Sequence, residues 1–171
     1  MSEFETAEIR QLVEDRLEAI RAKDVERSTS MMTTDYLLFD VVDPLQSKGA
    51  SAASSRAQEW FASFRGPIGY EIHDLHVSAS NGVGFSHGLN HVSATKLDGN
   101  PLDMWWRATV CYLKIEGRWQ ITHEHNSVPF DVNSGKASSD LRPRIHDRTN
   151  LLDRHQKCIS KKKGNLQWRR H

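Results

Sequence analysis

Apolar residues recur at helical spacing in three stretches of the chain and at alternate positions in five others. The order of the two patterns predicts the fold. From Thr6 onward, Ile9, Leu12, Val13, Leu17 and Ile20 form one stripe with charged residues on the opposite face, so this segment reads as an amphipathic helix. Ser2 and Glu5 ahead of it have capping-box spacing. Lys23-Asp24 breaks the stripe, and Asp24 can cap a short second helix over residues 25–32. Residues 35–44 then carry a β-branched and aromatic run that Pro44 ends, as a strand would. Ser47-Lys48-Gly49 reads as a turn. A third helix is predicted over residues 51–65, with Ala53, Ala57, Trp60, Phe61 and Phe64 on its stripe and Gly66-Pro67 as its stop.

Beyond Pro67 the period changes from helix to strand. Residues 68–78, 82–96, 102–115 and 118–127 are strand-like, and Asp98-Gly99 and Glu116-Gly117 are hairpin signals between them. Short turns imply an antiparallel meander. Helices followed by a meander imply an α+β fold with the helices on one sheet face. Strands longer than the usual ~5–6 residues require a strongly curved or bulged sheet, and Gly84 and Gly88 are the candidate bulge sites.

Composition adds one feature to this picture. The chain has 171 residues, 37% of them apolar and 26% charged, which suits a single folded core. Its net charge of +1 is unevenly placed: residues 142–171 hold ten Lys/Arg against two Asp, leaving 13 basic and 20 acidic residues of the 23 and 22 in residues 1–141. A domain over 1–141 with a basic, flexible extension over 142–171 is expected. The extension is a candidate arm for nucleic acid, though its composition favours an appended segment. Two cysteines, Cys111 and Cys158, make neither a disulfide framework nor a zinc spacing. No apolar run reaches the ~20 residues of a membrane span, and the acidic start lacks a signal-peptide pattern. A cytoplasmic location is the expectation.

The candidate chemistry lies on the predicted strands. Strict alternation puts Trp119, Ile121, His123, His125 and Ser127 on one face of the last strand, so two apolar residues give way to two imidazoles that can work as an acid/base pair. A His-x-His metal pair is the alternative, with His87, His91, Asp40 or Glu124 to complete it, but no cluster has a known ligand spacing and no metal is assigned. Asp40 joins Leu38 and Val42 if those face the core, and a desolvated carboxylate there suits a general base. His87 shares a face with Phe85, Leu89 and His91. Trp105 and Trp106 point to opposite faces, one to the pocket and one outward. Arg107 shares the face of Trp105 and either binds a substrate oxyanion or pairs with Asp40, Asp103 or Glu124. His73 and His76 fall on opposite faces of a regular strand and read as surface residues.

Several stretches resemble one known family. They are Leu38-Phe39-Asp40-Val41, Trp60-Phe61-Ala62-Ser63-Phe64, Phe85-Ser86-His87, Met104-Trp105-Trp106-Arg107-Ala108-Thr109 and Thr122-His123-Glu124-His125-Asn126-Ser127-Val128-Pro129-Phe130-Asp131. With the element order, they resemble the SnoaL-like and ketosteroid-isomerase-like branch of the nuclear-transport-factor-like superfamily. The resemblance covers roughly residues 5–141. It implies a cone-shaped α+β barrel, three N-terminal helices packed on a curved, mainly antiparallel sheet, with a deep pocket and a homodimer formed through the outer sheet face. In ketosteroid isomerases the base is an Asp near the end of the first strand, which Asp40 or Asp43 matches by position. The oxyanion Tyr and Asp of those enzymes have no convincing match.

The expectation is therefore a pocket enzyme moving protons on a small, largely apolar carbonyl compound, with no organic cofactor. Asp40 or the pair His123 and His125 would transfer the proton, Arg107 or His87 would steady the oxyanion, and Trp60, Phe64, Trp105 and Phe39 would line the pocket. The alternative is a module that binds a ligand, or assembles, without catalysis.

Overall fold

The computed structural model describes residues 2–143, so the expectations for the basic extension fall outside the described residues, apart from Arg142 and Pro143. The apolar stripe of the first segment becomes helix α1 (Glu3–Arg21), which buries Ile9, Val13, Leu17 and Ile20. Half of the capping box forms: Ser2 Oγ accepts the Glu5 N–H at 3.3 Å. The Glu5 carboxylate turns away and accepts the Gly82 N–H at 2.9 Å, tying the start of the helix to a hairpin turn 77 residues later. Asp24 caps α2 (Val25–Thr29), accepting the Arg27 N–H at 2.9 Å. Helix α3 (Ala50–Ala62) ends before the predicted stop. The chain is already extended at Phe64, and Gly66 (φ 65°) with Pro67 forms an irregularity inside the next strand.

Six strands make one sheet: β1 (Met32–Phe39), β2 (Ser47–Lys48), β3 (Phe64–Ser80), β4 (Val83–Lys96), β5 (Pro101–Ile115) and β6 (Arg118–Ser127). Their order is β2-β1-β6-β5-β4-β3. The meander β3–β6 is antiparallel as expected, and β1 joins it parallel to β6. Residues 47 and 48, read as a turn, instead pair with Leu38 and Leu37 as a short edge strand. The core lies between α1, α3 and the inner sheet face, where Tyr36, Tyr112, Ile9 and Ile121 are the largest fully buried side chains. Among the described residues no helix is long and apolar enough to cross a membrane.

Two irregularities decide which side chains face the core. On β6 the register shifts between Ile121, opposite Tyr112, and His123, opposite Cys111, so Thr122 is an extra residue. On β3, Asp74 (φ 52°) and Leu75 stand against Gly88 alone. Each extra residue reverses the inward-outward alternation of everything after it. Gly88 therefore sits opposite a bulge, where a Cβ would lie 2.8 Å from Ile72 Cγ2. Gly84 has another cause, because a Cβ there would lie 2.5 Å from Ile9 Cδ1: Ile9 of α1 packs directly on the sheet at this position.

Candidate functional site

Between the helices and the inner sheet face lies a cavity of about 560 Å³. Its walls are largely apolar, with Ile20, Leu38, Trp60, Val92, Met104 and Trp106 among them. A volume of this order holds a small organic molecule. Two polar clusters interrupt the wall.

The deeper cluster centres on Glu124, which is 5% exposed. Its Oε2 pairs with Arg16 Nη1 at 2.8 Å and accepts the Tyr36 hydroxyl at 3.2 Å. Its Oε1 accepts Asn126 Nδ2 at 3.2 Å, and Asn126 Oδ1 accepts the Trp106 indole N–H at 3.1 Å. Five side chains from α1, β1, β5 and β6 thus form one chain of hydrogen bonds on the cavity wall. Burial alone would push the Glu124 carboxyl up. The Arg16 charge, with hydrogen bonds from Arg16, Asn126 and Tyr36, outweighs burial, and the carboxyl lies below the usual range. Burial would lower the Arg16 guanidinium, but Glu124 holds it firmly charged. Burial first, and then the Glu124 charge, push the Tyr36 and Tyr70 phenols well above their ordinary value, so both remain hydroxyls. Tyr70 lines the cavity beside this network and accepts Asn90 Nδ2 at 2.9 Å.

The second cluster is nearer solvent. Arg56 reaches Asp40 Oδ2 with Nε at 2.9 Å and Nη2 at 2.5 Å, and Asp40 Oδ1 accepts the Val41 N–H at 2.7 Å. Both side chains line the cavity at 20–25% exposure.

Of the residues singled out from sequence, Asp40 and Trp60 do line the cavity. Phe64 is buried behind Trp60, edge-on at 5.4 Å. The other candidates lie on the outer sheet face. Beyond the Thr122 bulge, Glu124 and Asn126 turn inward, and His123 and His125 turn out to meet Phe39 edge-on at 4.9 and 5.7 Å. His123 Nδ1 donates to the Leu37 carbonyl at 2.9 Å. His87 is exposed and stacks on His76 at 5.1 Å. Arg107 is exposed, and the carboxylates considered for it pair elsewhere: Asp40 with Arg56, Glu124 with Arg16, Asp103 with His91. Trp105 faces outward and stacks on His91, so the pocket tryptophan of the pair is Trp106.

The residues that sequence reasoning passed over had a signal. Arg16 lies three and four positions from Val13 and Leu12, within the buried stripe of α1. Arg56 lies three from Ala53 and four from Trp60, within that of α3. A charged residue on an apolar stripe needs a partner of opposite charge, and each has one, Glu124 buried and Asp40 half-buried.

Comparison with known proteins places these features in context. Residues 9–131 match the family described as SnoaL-like domain. An NTF2-like protein of unknown function from Pseudomonas putida KT2440 is 35% identical, aligns over 84% of this chain and 99% of its own, and superposes with a TM-score of 0.76. A ketosteroid isomerase-like protein from Erwinia carotovora atroseptica SCRI1043 shares the fold at 20% identity and a TM-score of 0.64, over 74% of this chain and 97% of its own. An NTF2-like superfamily protein from Salmonella enterica does so at 15% identity and 0.67, over 77% and 96%. No functionally curated protein matches the chain significantly.

Proposed function

Since the chain belongs to the SnoaL-like family, with an NTF2-like cone-shaped α+β fold, we propose that its inner cavity binds a small, largely apolar molecule carrying a carbonyl or hydroxyl group. The observation that carries this reading is a cavity of about 560 Å³ whose apolar wall is broken by a satisfied polar network at depth. Apolar walls supply affinity, and a few fixed polar groups orient the ligand. Tyr70 is the group best suited to meet the ligand oxygen. Its hydroxyl already accepts from Asn90, which leaves its own proton to donate. The charges of Arg16 and Glu124 largely satisfy each other, which favours a neutral ligand over an ionised one. A panel of neutral carbonyl and hydroxyl compounds, screened by thermal shift and tryptophan fluorescence, is the test. Binders are expected to raise the melting temperature, and Ala57→Phe, which fills the cavity from α3, should abolish the shift. A binder whose shift survives that variant sits elsewhere and defeats the reading.

Proton transfer is the second reading, and Asp40 is the observation that favours it. It lies in the cavity immediately after β1, where ketosteroid isomerases keep their base. With His123, His125, His87 and Arg107 on the outer face, Asp40 would act as base with Tyr70 as the hydrogen-bond donor to the developing oxyanion. Asp40→Asn should then remove turnover of a bound ligand and leave its binding in place. The outer sheet face, which carries exposed Phe85 and half-buried Trp105, is the surface through which a second copy would pair. Light scattering of the chain in solution tests that pairing.

A further inference from the structure

The outer face of β3, β4 and β5 gathers chemistry that the cavity does not use. Glu71 and His73 are two apart on β3, and both point outward. Glu71 stands directly across from His91 on β4, and His91 directly across from Trp105 on β5. One donor atom from each of Glu71, His73 and His91 lies within 4.8 Å of the other two. We propose that these three side chains form a binding site for a divalent transition-metal ion of the zinc class, with two imidazoles and one carboxylate as ligands.

The separations fit such an ion. His73 Nε2 lies 2.9 Å from Glu71 Oε2, and His91 Nδ1 lies 3.7 Å from the same oxygen. Ligands about 2.0–2.2 Å from a tetrahedral zinc are roughly 3.4 Å from one another, so these two distances straddle the required one. Glu71 and His73 side chains are 58% and 48% exposed, which gives them the freedom to close the third side of the triangle. The His73 Nε2 proton that now bridges to Glu71 would shift to Nδ1, so a neutral imidazole can offer its lone pair to the metal.

His91 is held as a ligand should be. Its Nε2 bonds Asp103 Oδ1 at 2.8 Å, and a carboxylate can only accept, so Nε2 carries the proton, and in the neutral ring Nδ1, on the side of Glu71, is the nitrogen left to bind a metal. A carboxylate that fixes the far nitrogen of a ligating histidine is the usual outer support of a metal site. The ring is also held flat on Trp105, with centroids 4.2 Å apart and 14° between planes, and His73 packs on the same indole at 4.8 Å. Two imidazoles are thus set on one aromatic floor with their donors converging. The donor set suits zinc and neighbouring borderline ions better than magnesium or calcium, which prefer all-oxygen shells. The fourth position is left to a water or another exogenous ligand.

The test is calorimetric titration of Zn²⁺ into the full chain after chelator treatment, with Co²⁺ as a spectroscopic probe. Wild type is expected to bind one more ion per chain than His73→Ala/His91→Ala and to show the visible absorption of low-coordinate Co²⁺. Asp103→Asn should weaken that ion's binding by about 10-fold or more without removing a ligand. His76→Ala/His87→Ala, which alters the neighbouring imidazole pair, should leave the site intact. All these positions except His91 are exposed, and circular dichroism on each variant checks that the fold persists. No zinc binding by wild type, equal binding by wild type and His73→Ala/His91→Ala, or loss confined to the His76/His87 variant would each overturn the site.

Discussion

Glu124→Gln is the substitution that interrogates the cavity wall most directly. Amide replaces carboxylate at nearly constant volume, so packing and the acceptor for Tyr36 are retained while the charge opposite Arg16 is lost. At 2.8 Å the Coulomb attraction is about 6 kcal/mol for an effective dielectric constant near 20. Part of it returns as hydration, because the Arg16 side chain is 20% exposed and can draw in water. Removing one partner of a buried pair typically costs 3–5 kcal/mol, and with that partial hydration the expected loss is about 3 kcal/mol. For a chain of this size the loss corresponds to roughly 10 °C in Tm. Urea unfolding followed by tryptophan fluorescence is the assay, with the slope m held as a control for compactness. Arg16→Met in the Glu124→Gln background should cost much less than in wild type, with a coupling of about 2 kcal/mol. A loss under about 1 kcal/mol, with no coupling, is the behaviour of a surface pair and would refute the account of a desolvated network.

The same carboxyl makes stability pH-dependent. Its folded value lies below the ordinary 4.5, so its contribution is complete above about that pH and is lost as pH falls through the lower folded value. Stability measured from pH 7 down to 3 should therefore drop more steeply in wild type than in Glu124→Gln, and equal slopes would contradict the ion pair. Gly84→Ala should cost about 1–3 kcal/mol, because its Cβ would press on Ile9 Cδ1. Ile9→Val, destabilising in wild type, should then be neutral or stabilising in the Gly84→Ala background, as thermal melts of the four proteins would show. Deleting Thr122 removes the β6 bulge and leaves a regular strand on which Ile121 and Glu124 still face inward and His123 and His125 outward, so the Arg16–Glu124 pair is kept. The variant should therefore melt cooperatively and still lose stability on Glu124→Gln, and a variant that no longer responds to Glu124→Gln would rule out Thr122 as the extra residue.

The contrast between what the residues announced and what they concealed has one physical cause. Helix stripes depend on a period that one residue more or less at an end does not disturb, and Ile9, Val13, Leu17 and Ile20 are buried as the stripe of α1 requires. The hairpins were legible because Asp98-Gly99 and Glu116-Gly117 tolerate the positive φ of a tight turn, and Gly99, Glu116 and Gly117 all adopt it. Facing on a strand has no such tolerance: a period of two is inverted by one extra residue. Thr122 carries no local mark of being that residue, since threonine is an ordinary strand former, and its hydroxyl is satisfied by the Cys111 carbonyl at 3.3 Å. Asp74 is equally unmarked, yet its bulge puts His73 and His76 on the same outer face. The information on facing lay instead in the helices. A guanidinium at Arg16, on a stripe otherwise buried against the sheet, requires an inward carboxylate on the strand it meets. Of the residues on β6, Glu124 alone is acidic. Once Glu124 must turn inward while Trp119 and Ile121 also do, alternation between them has to fail, because two inward residues at odd and even positions cannot share a regular strand. The bulge can therefore be deduced from the charge on α1. With it go the imidazoles to the outer face, and the cavity becomes a place to bind a neutral ligand beside a satisfied ion pair.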